Sequence, residues 1–204
     1  MQSLSSKLLD RAVEQFALLP GIGRKTALRF ALFLLKRKPE EVEAFVRSIE
    51  ALKTDIRTCR QCNNISDNDL CEICADPKRD GSVICVVENI RDILSIEATS
   101  QYRGLYHVLG GIISPMEGTG PADLHIASLL SRLEHPGISE VLFALSATIE
   151  GETTAYYIYK KIPNRENLII STLAKGISVG NDLEYTDQLT LGKSILNRVH
   201  FTGK

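Results

Sequence analysis

Four of the five cysteines form two like pairs, Cys59-x2-Cys62 and Cys71-x2-Cys74, with eight residues between them. A Cys-x2-Cys turn presents two thiolates to one cation, and two such turns complete a tetrahedral four-sulfur zinc site. A redox dithiol needs one pair, not two in tandem. With all four positions taken by protein sulfur, no position stays open for water or substrate. One structural Zn²⁺ per chain is therefore expected, stapling a segment that has almost no core of its own. The intervening loop is short for a zinc ribbon but ample for a small knuckle. Cys85 lies inside the apolar run "SVICVVE" and reads as a buried small hydrophobe.

A second constellation is "LPGIGRKTALRFA", residues 19–31. It is not a nucleotide-binding P-loop, because Lys25-Thr26 follows Gly23-Arg24 and the required Gly-Lys step is broken. Gly192-Lys193-Ser194 fails as well, since the upstream glycine position holds Asp187. What remains is a tight Gly-x-Gly turn between two helices. The free N–H groups and the dipole at the start of the second helix favour an anion. Gly21 and Gly23 let a backbone approach closely, and Ile22 can plug the space between the helices. Lys25 lies in the first turn, and Arg29, four residues on, continues the positive face beside Arg24. The whole reads as a helix-hairpin-helix that grips DNA phosphates without reading bases. One hairpin makes few contacts, so copies must act together for useful affinity.

A third set is acidic. Glu88 ends an apolar strand, and Glu150-Gly151-Glu152 follows another, the place where α/β sheets gather functional groups. Carboxylates there can hold Mg²⁺ for phosphoryl chemistry. The layout resembles the Toprim domain of topoisomerases and primases, which carries a glutamate after its first strand and an Asp-x-Asp after a later one. In "LSATIEGETTA", Ser146 and Thr148 stand where the aspartates would be. Neutral hydroxyls replace poorly the charges Mg²⁺ needs, so at most a weak metal site and no nuclease or topoisomerase activity are expected. A carboxylate cluster without its aspartates suits a basic protein partner instead, through Glu88, Glu150 and Glu152. Solvated loop charge is the competing account of Glu152.

The elements that must carry these groups follow from hydrophobic spacing. Residues 5–18 place Leu8, Leu9, Ala12, Val13, Phe16 and Ala17 on one helical face, with a serine available as N-cap. A second helix carries Ala27, Phe30, Ala31, Leu34 and Leu35. Pro39 opens a third, with Glu40 and Glu41 in its first turn and Val42, Phe45, Val46, Ile49 and Leu52 as its buried side. Beyond the cysteines, "SVICVVE", "LYHVL", "EVLFALS" and "NLIIST" read as strands. Helices near 90–97, 121–133 and 153–161 alternate with them, and a last helix spans about 187–198. Strand–helix alternation implies a mostly parallel α/β sheet.

Charge is unevenly placed. Residues 1–38 hold eight Lys/Arg against two acids, a local charge of +6, whereas the remaining sixteen basic and twenty-three acidic residues give −7. A basic head suits a polyanion and an acidic body suits something else. No stretch has the length of a membrane span and no apolar leader opens the chain, so a cytoplasmic, disulfide-free protein is expected.

With "YHVLGGIISPMEGTGP" (106–121) and "LAKGISVGNDLEYTDQLTL" (173–191), the order of hairpin, zinc knuckle and degenerate Toprim unit closely resembles the RecR family of bacterial recombination mediators. The resemblance covers nearly the whole chain. It implies an α/β protein in several parts: a helix-hairpin-helix DNA-binding region over 1–56, a four-cysteine zinc finger over 57–78, a Toprim domain over 79–174 and a C-terminal assembly segment over 175–204. It also implies a non-enzymatic repair factor that, with RecO and in other contexts RecF, helps load RecA onto gapped or protein-coated single-stranded DNA. A ring of dimers or tetramers with hairpins lining the DNA channel would supply the missing avidity. Within the resemblance RecO is the partner expected at the acidic residues. The alternatives are a Mg²⁺-dependent Toprim nuclease or topoisomerase-like enzyme, which lacks its aspartates and any obvious cleavage tyrosine, and a structural zinc protein without a DNA role.

Overall fold

The structure, a computed structural model, describes residues 6–200 apart from 164, 166 and 181. Residue 5 of the first expected helix and residues 201–204 of the expected C-terminal segment lie outside the described residues. The chain divides into two compact units, Met1–Ile56 and Arg57–Lys204.

In the first unit α1 (Lys7–Ala17) is capped by Ser6, whose Oγ accepts from Leu9 N–H at 3.4 Å. A turn closed by Ile22 N–H donating to Leu19 O (3.0 Å) leads into α2 (Arg24–Leu35). Gly21 has φ of +76°, the left-handed region open to glycine, which is why the reversal is this tight. Val13, Ala27 and Ala31 are buried, and Ile22 packs against them between the helices. The third helix, α3 (Pro39–Thr54), starts on Pro39 with Glu41 accepting from Lys38 N–H at 3.1 Å.

The spacing predicts the apolar side of α3 to be buried, and it is not. No residue of α3 is buried; Phe45 is 43% and Leu52 is 63% exposed, with Val46 and Ile49 between them. Leu8 and Leu35, placed on apolar faces by the same periodicity, are also exposed. The reason is geometric: the small core between α1 and α2 takes one face of each, and none of the described residues of this unit is left to cover α3.

In the second unit, a two-stranded antiparallel hairpin, β1 (Arg57–Thr58) and β2 (Ile65–Ser66), and the single turn α4 (Glu72–Ala75) build the cysteine knuckle. The remainder alternates β3 (Asp80–Val87), α5 (Ile90–Ala98), β4 (Gly104–Val108), α6 (Ile126–Leu133), β5 (Glu140–Ala144), α7 (Ile149–Lys161) and β6 (Ile169–Thr172), then ends in α8 (Gln188–Leu196). The four strands are all parallel, in the order β4-β3-β5-β6. Successive side chains of β3 serve opposite faces. Ile84 and Val86 join Leu129 and Leu133 of α6 and Ile158 of α7, whereas Cys85 and Val87 join Ile93 of α5 and Tyr106. A sheet covered on both faces explains the near-continuous apolar runs. Cys85 is fully buried, as its place in β3 requires.

Two helix starts differ from their expected positions. The predicted helix near 121–133 is a 3₁₀ turn at Pro121–Asp123 and then α6 from Ile126. The predicted helix near 153–161 begins four residues earlier, at Ile149, because Thr148 caps it. No helix of the described residues is long and apolar enough to cross a membrane.

Candidate metal centre and nucleic-acid interface

The knuckle brings its four sulfurs within 4.8 Å of one another, and Cys62 Sγ lies 3.5 Å from Cys71 Sγ. A tetrahedron with Zn–S bonds of about 2.3 Å has S···S edges of about 3.8 Å, so the cluster fits the ion. Local backbone chemistry sets this up. Asn63 adopts φ of 61°, letting its N–H return to Cys59 O at 3.0 Å while Cys59 N–H donates to Asn64 O at 2.7 Å. In the second turn Cys74 N–H points at Cys71 Sγ, 3.5 Å away. All four thiols are free, and three are buried.

Their electrostatics also ask for a cation. Burial pushes the Cys59 thiol up, but N–H groups of Cys71, Cys62 and Gln61 outweigh it and bring it down to about 7. Cys71 is pushed up to about 11 by burial and by the charges of Cys62 and Cys59. Cys62 is also pushed up, chiefly by its hydrogen bond with Cys74 and then by burial. Four thiolates this close are stable together only around a metal ion. This is a structural zinc site.

The knuckle is seated on the outer edge of β4. Leu109 N–H donates inward to Val87 O (2.9 Å), so the backbone groups of Tyr106 and Val108 point outward from the sheet. Val108 N–H donates to Cys62 O at 2.8 Å, and the Asn63 amide donates to Ser128 Oγ at 3.4 Å. Ile73 of α4 packs both on the cysteines and on the sheet core.

In the hairpin, α2 has Gly23 as N-cap, no side-chain cap and no acid in its first turn. Its leading N–H groups therefore have no side-chain acceptor at the positive end of the helix dipole. Lys25 and Arg29 are exposed and make no ion pair among the described residues. Arg24 differs from them: it is paired with Asp10 of α1, which ties the two helices together and spends part of its charge.

At the end of the sheet, Glu88 follows β3 and is half-buried. Glu150 and Glu152 are not on a loop, as their position after a strand suggests, but in the first turn of α7. Ser146 and Thr148 have a structural task. Thr148 Oγ1 accepts from Gly151 N–H at 3.1 Å and lies 3.2 Å from Ser146 Oγ. Gly151 packs directly on this turn, since a Cβ there would lie 2.1 Å from Ser146 O. Glu88, Glu150 and Glu152 do not converge: among the described residues the four cysteines are the only set of three or more ligating side chains brought together. The weak Mg²⁺ site expected here therefore has no gathered set of three carboxylates among the described residues.

Glu152, expected to be an uncompensated partner-binding charge, is compensated. It is bonded to Lys175, after β6, and to Lys193 of α8 at 3.3 Å, beside a cleft of about 750 Å³ lined by Leu145, Tyr156, Leu173 and Leu189. The hydrogen bond from Lys175, then that from Lys193, holds its carboxyl below the ordinary value. A depressed carboxylate pKa adds stability above the unfolded value, about 4.3, and the gain is lost as pH falls through the folded value. Glu152→Gln should raise hydrogen exchange across 173–196 at pH 7, and the difference from the parent should vanish near pH 3. Sequence reasoning missed the two lysines and Gly151; their only signal was basic residues distant in sequence and a glycine three residues after a threonine.

Comparison with known proteins follows the same order along the chain. The family described as RecR, helix-hairpin-helix matches residues 9–53, the RecR four-cysteine zinc finger domain matches 56–76, Toprim domain matches 82–174, and RecR, C-terminal matches 176–199. A protein of Bacteroides fragilis named Recombination protein RecR is 56% identical over 202 residues, covering 99% of this chain and 98% of that one. Proteins of the same name are 54% identical in Porphyromonas gingivalis (99% and 97% covered) and 53% identical in Flavobacterium johnsoniae (97% and 95% covered). Hairpin, four-sulfur zinc site, parallel sheet and tail thus agree in kind and order, and the chain belongs to the RecR family of recombination proteins.

Proposed function

We propose that the protein is a non-enzymatic mediator of recombinational DNA repair in the cytoplasm, which grips DNA through its hairpin and, with RecO and RecF, promotes RecA loading on single-stranded or gapped DNA. The observation that carries this reading is the start of α2: uncapped N–H groups after Gly21-Ile22-Gly23, with Lys25 and Arg29 unpaired among the described residues. These groups address phosphates, and none is placed to discriminate bases. The ring-like oligomer is supported by the uncovered face of α3, where Phe45, Val46, Ile49 and Leu52 form an apolar stripe that a second copy would bury. A dimer or tetramer also multiplies a weak hairpin by avidity. The non-enzymatic part is supported by Ser146 and Thr148: the Thr148 hydroxyl caps α7, and the Ser146 hydroxyl is hydrogen-bonded to it. Glu88 and Glu150 remain the proposed contacts for RecO, and Glu152 serves the tail instead.

The test is DNA binding by Lys25→Gln/Arg29→Gln, measured on several unrelated sequences across a salt series. Loss should be similar on all sequences, and the salt slope should flatten by about 2 per hairpin engaged on duplex DNA. Glu88→Gln/Glu150→Gln provides the second arm: DNA binding alone stays intact while RecO binding falls, most at low ionic strength. Normal DNA binding by an assembled Lys25/Arg29 variant would show the hairpin to be purely structural.

A further inference from the structure

Arg132 of α6 is partly buried and makes no ion pair among the described residues. Its Nη1 spends both hydrogens: one on Tyr106 O at 2.7 Å, the other on His107 Nδ1 at 3.4 Å. The histidine tautomer is fixed for this. His107 Nε2 faces a carbonyl, His125 O, at 2.8 Å and must donate, so Nδ1 carries the lone pair. Arg132 Nη2, by contrast, is buried and has no hydrogen-bond partner among the described residues. Nor does any carboxylate among the described residues pair with the guanidinium.

A buried guanidinium with two unspent donors is costly unless a negative charge stands near it. Tyr106 O, which holds Nη1, and Val108 N–H, which holds Cys62 O, flank one residue on the same outward edge of β4. Arg132 and the cysteine knuckle therefore occupy adjoining positions on that edge. Zinc with four thiolates carries a net charge of −2, in a site whose sulfurs are mostly buried. We infer that Arg132 is the buried counter-charge of the zinc site, fixed by Tyr106 O and His107 so that its free Nη2 edge offsets the excess negative charge of the four thiolates. Burial pulls the guanidinium down, and the groups that oppose this are, in order, Cys74, Cys62 and Cys59. The role is one of charge balance and positioning; Arg132 does not ligate the metal.

Zinc retention by the purified protein against a chromogenic chelator tests this. Arg132→Gln keeps a donor for Tyr106 O but loses the charge, and zinc should transfer about 10-fold faster or more. Arg132→Lys keeps the charge and should stay close to the parent. In a Cys74→His background the site has one negative charge fewer, so the Arg132→Gln effect should shrink. The inference is overturned if Gln retains zinc as the parent does, if Lys fails as badly as Gln, or if the Gln effect is undiminished in the Cys74→His background. Unfolding of the Gln variant in both backgrounds would also overturn it, since the hydrogen bonds alone would then account for Arg132.

Discussion

Cys62→Ser should yield protein without zinc and with the knuckle unfolded, the largest single-residue effect expected in this chain. Cys62 is 1% exposed and central to the cluster, 3.5 Å from Cys71. The segment around it has two short strands and one helical turn, too little apolar surface to fold unaided. In such segments metal binding is folding free energy, on the order of 10 kcal/mol in zinc-finger peptides near neutral pH. The damage should spread, because Cys62 O accepts from Val108 N–H and Ile73 packs against the core around Cys85 and Tyr106. Chelation of the parent should reproduce the effect as a lower melting temperature and faster exchange at Val108. Acid should do the same: ligation requires thiolates, so protons compete with zinc and release is favoured as pH falls. Cys85→Ala removes a buried sulfur from the sheet and should leave zinc at one per chain. Zinc-free parent protein, freshly purified and reduced, would refute the site altogether.

What the sequence disclosed and what it concealed separate along one physical line. Features set by near neighbours were legible: the two Cys-x2-Cys turns, the Gly21-Ile22-Gly23 reversal with Ile22 as its plug, and the apolar runs that became β3 to β6. Features set by distant partners were not. Glu152 looks uncompensated until Lys175 and Lys193, 23 and 41 residues away, are folded against it. Arg132 is an ordinary helix residue in the sequence, and only the fold brings it to the outer edge of β4, where Val108 N–H also holds Cys62 O. Periodicity on α3 marked which face is apolar but carried no information on what covers it. Ser146 and Thr148 are instructive in a different way. Comparison with an Asp-x-Asp pattern presents them as losses, whereas the Thr148 side chain caps a helix and so moves its start forward to Ile149.

That early start has a steric requirement, and the same substitution at two glycines should therefore act with opposite sign. Gly151 is buried at the third position of α7, where Thr148 Oγ1 accepts its N–H at 3.1 Å. A Cβ there would lie 2.1 Å from Ser146 O and 2.7 Å from Ser146 Oγ. A backbone carbonyl cannot step aside as a side-chain tip can, so the helix start must move and the cap must break. Gly151→Ala should cost about 3 kcal/mol, from overpacking and from the lost cap. Gly192 lies inside α8 with open space around its Cβ position. There alanine removes only the entropic penalty of glycine in a helix, and Gly192→Ala should stabilise by about 0.5–1 kcal/mol. Chemical denaturation of the two variants measures both. Because Glu150 and Glu152 share the turn that Gly151 shapes, Gly151→Ala should also free Lys175 and Lys193 and loosen the tail, read as faster exchange across 173–196. A Gly151→Ala variant as stable as the parent would mean that this turn relaxes without cost, and that the placement of both glutamates does not depend on the close packing of Gly151 on Ser146.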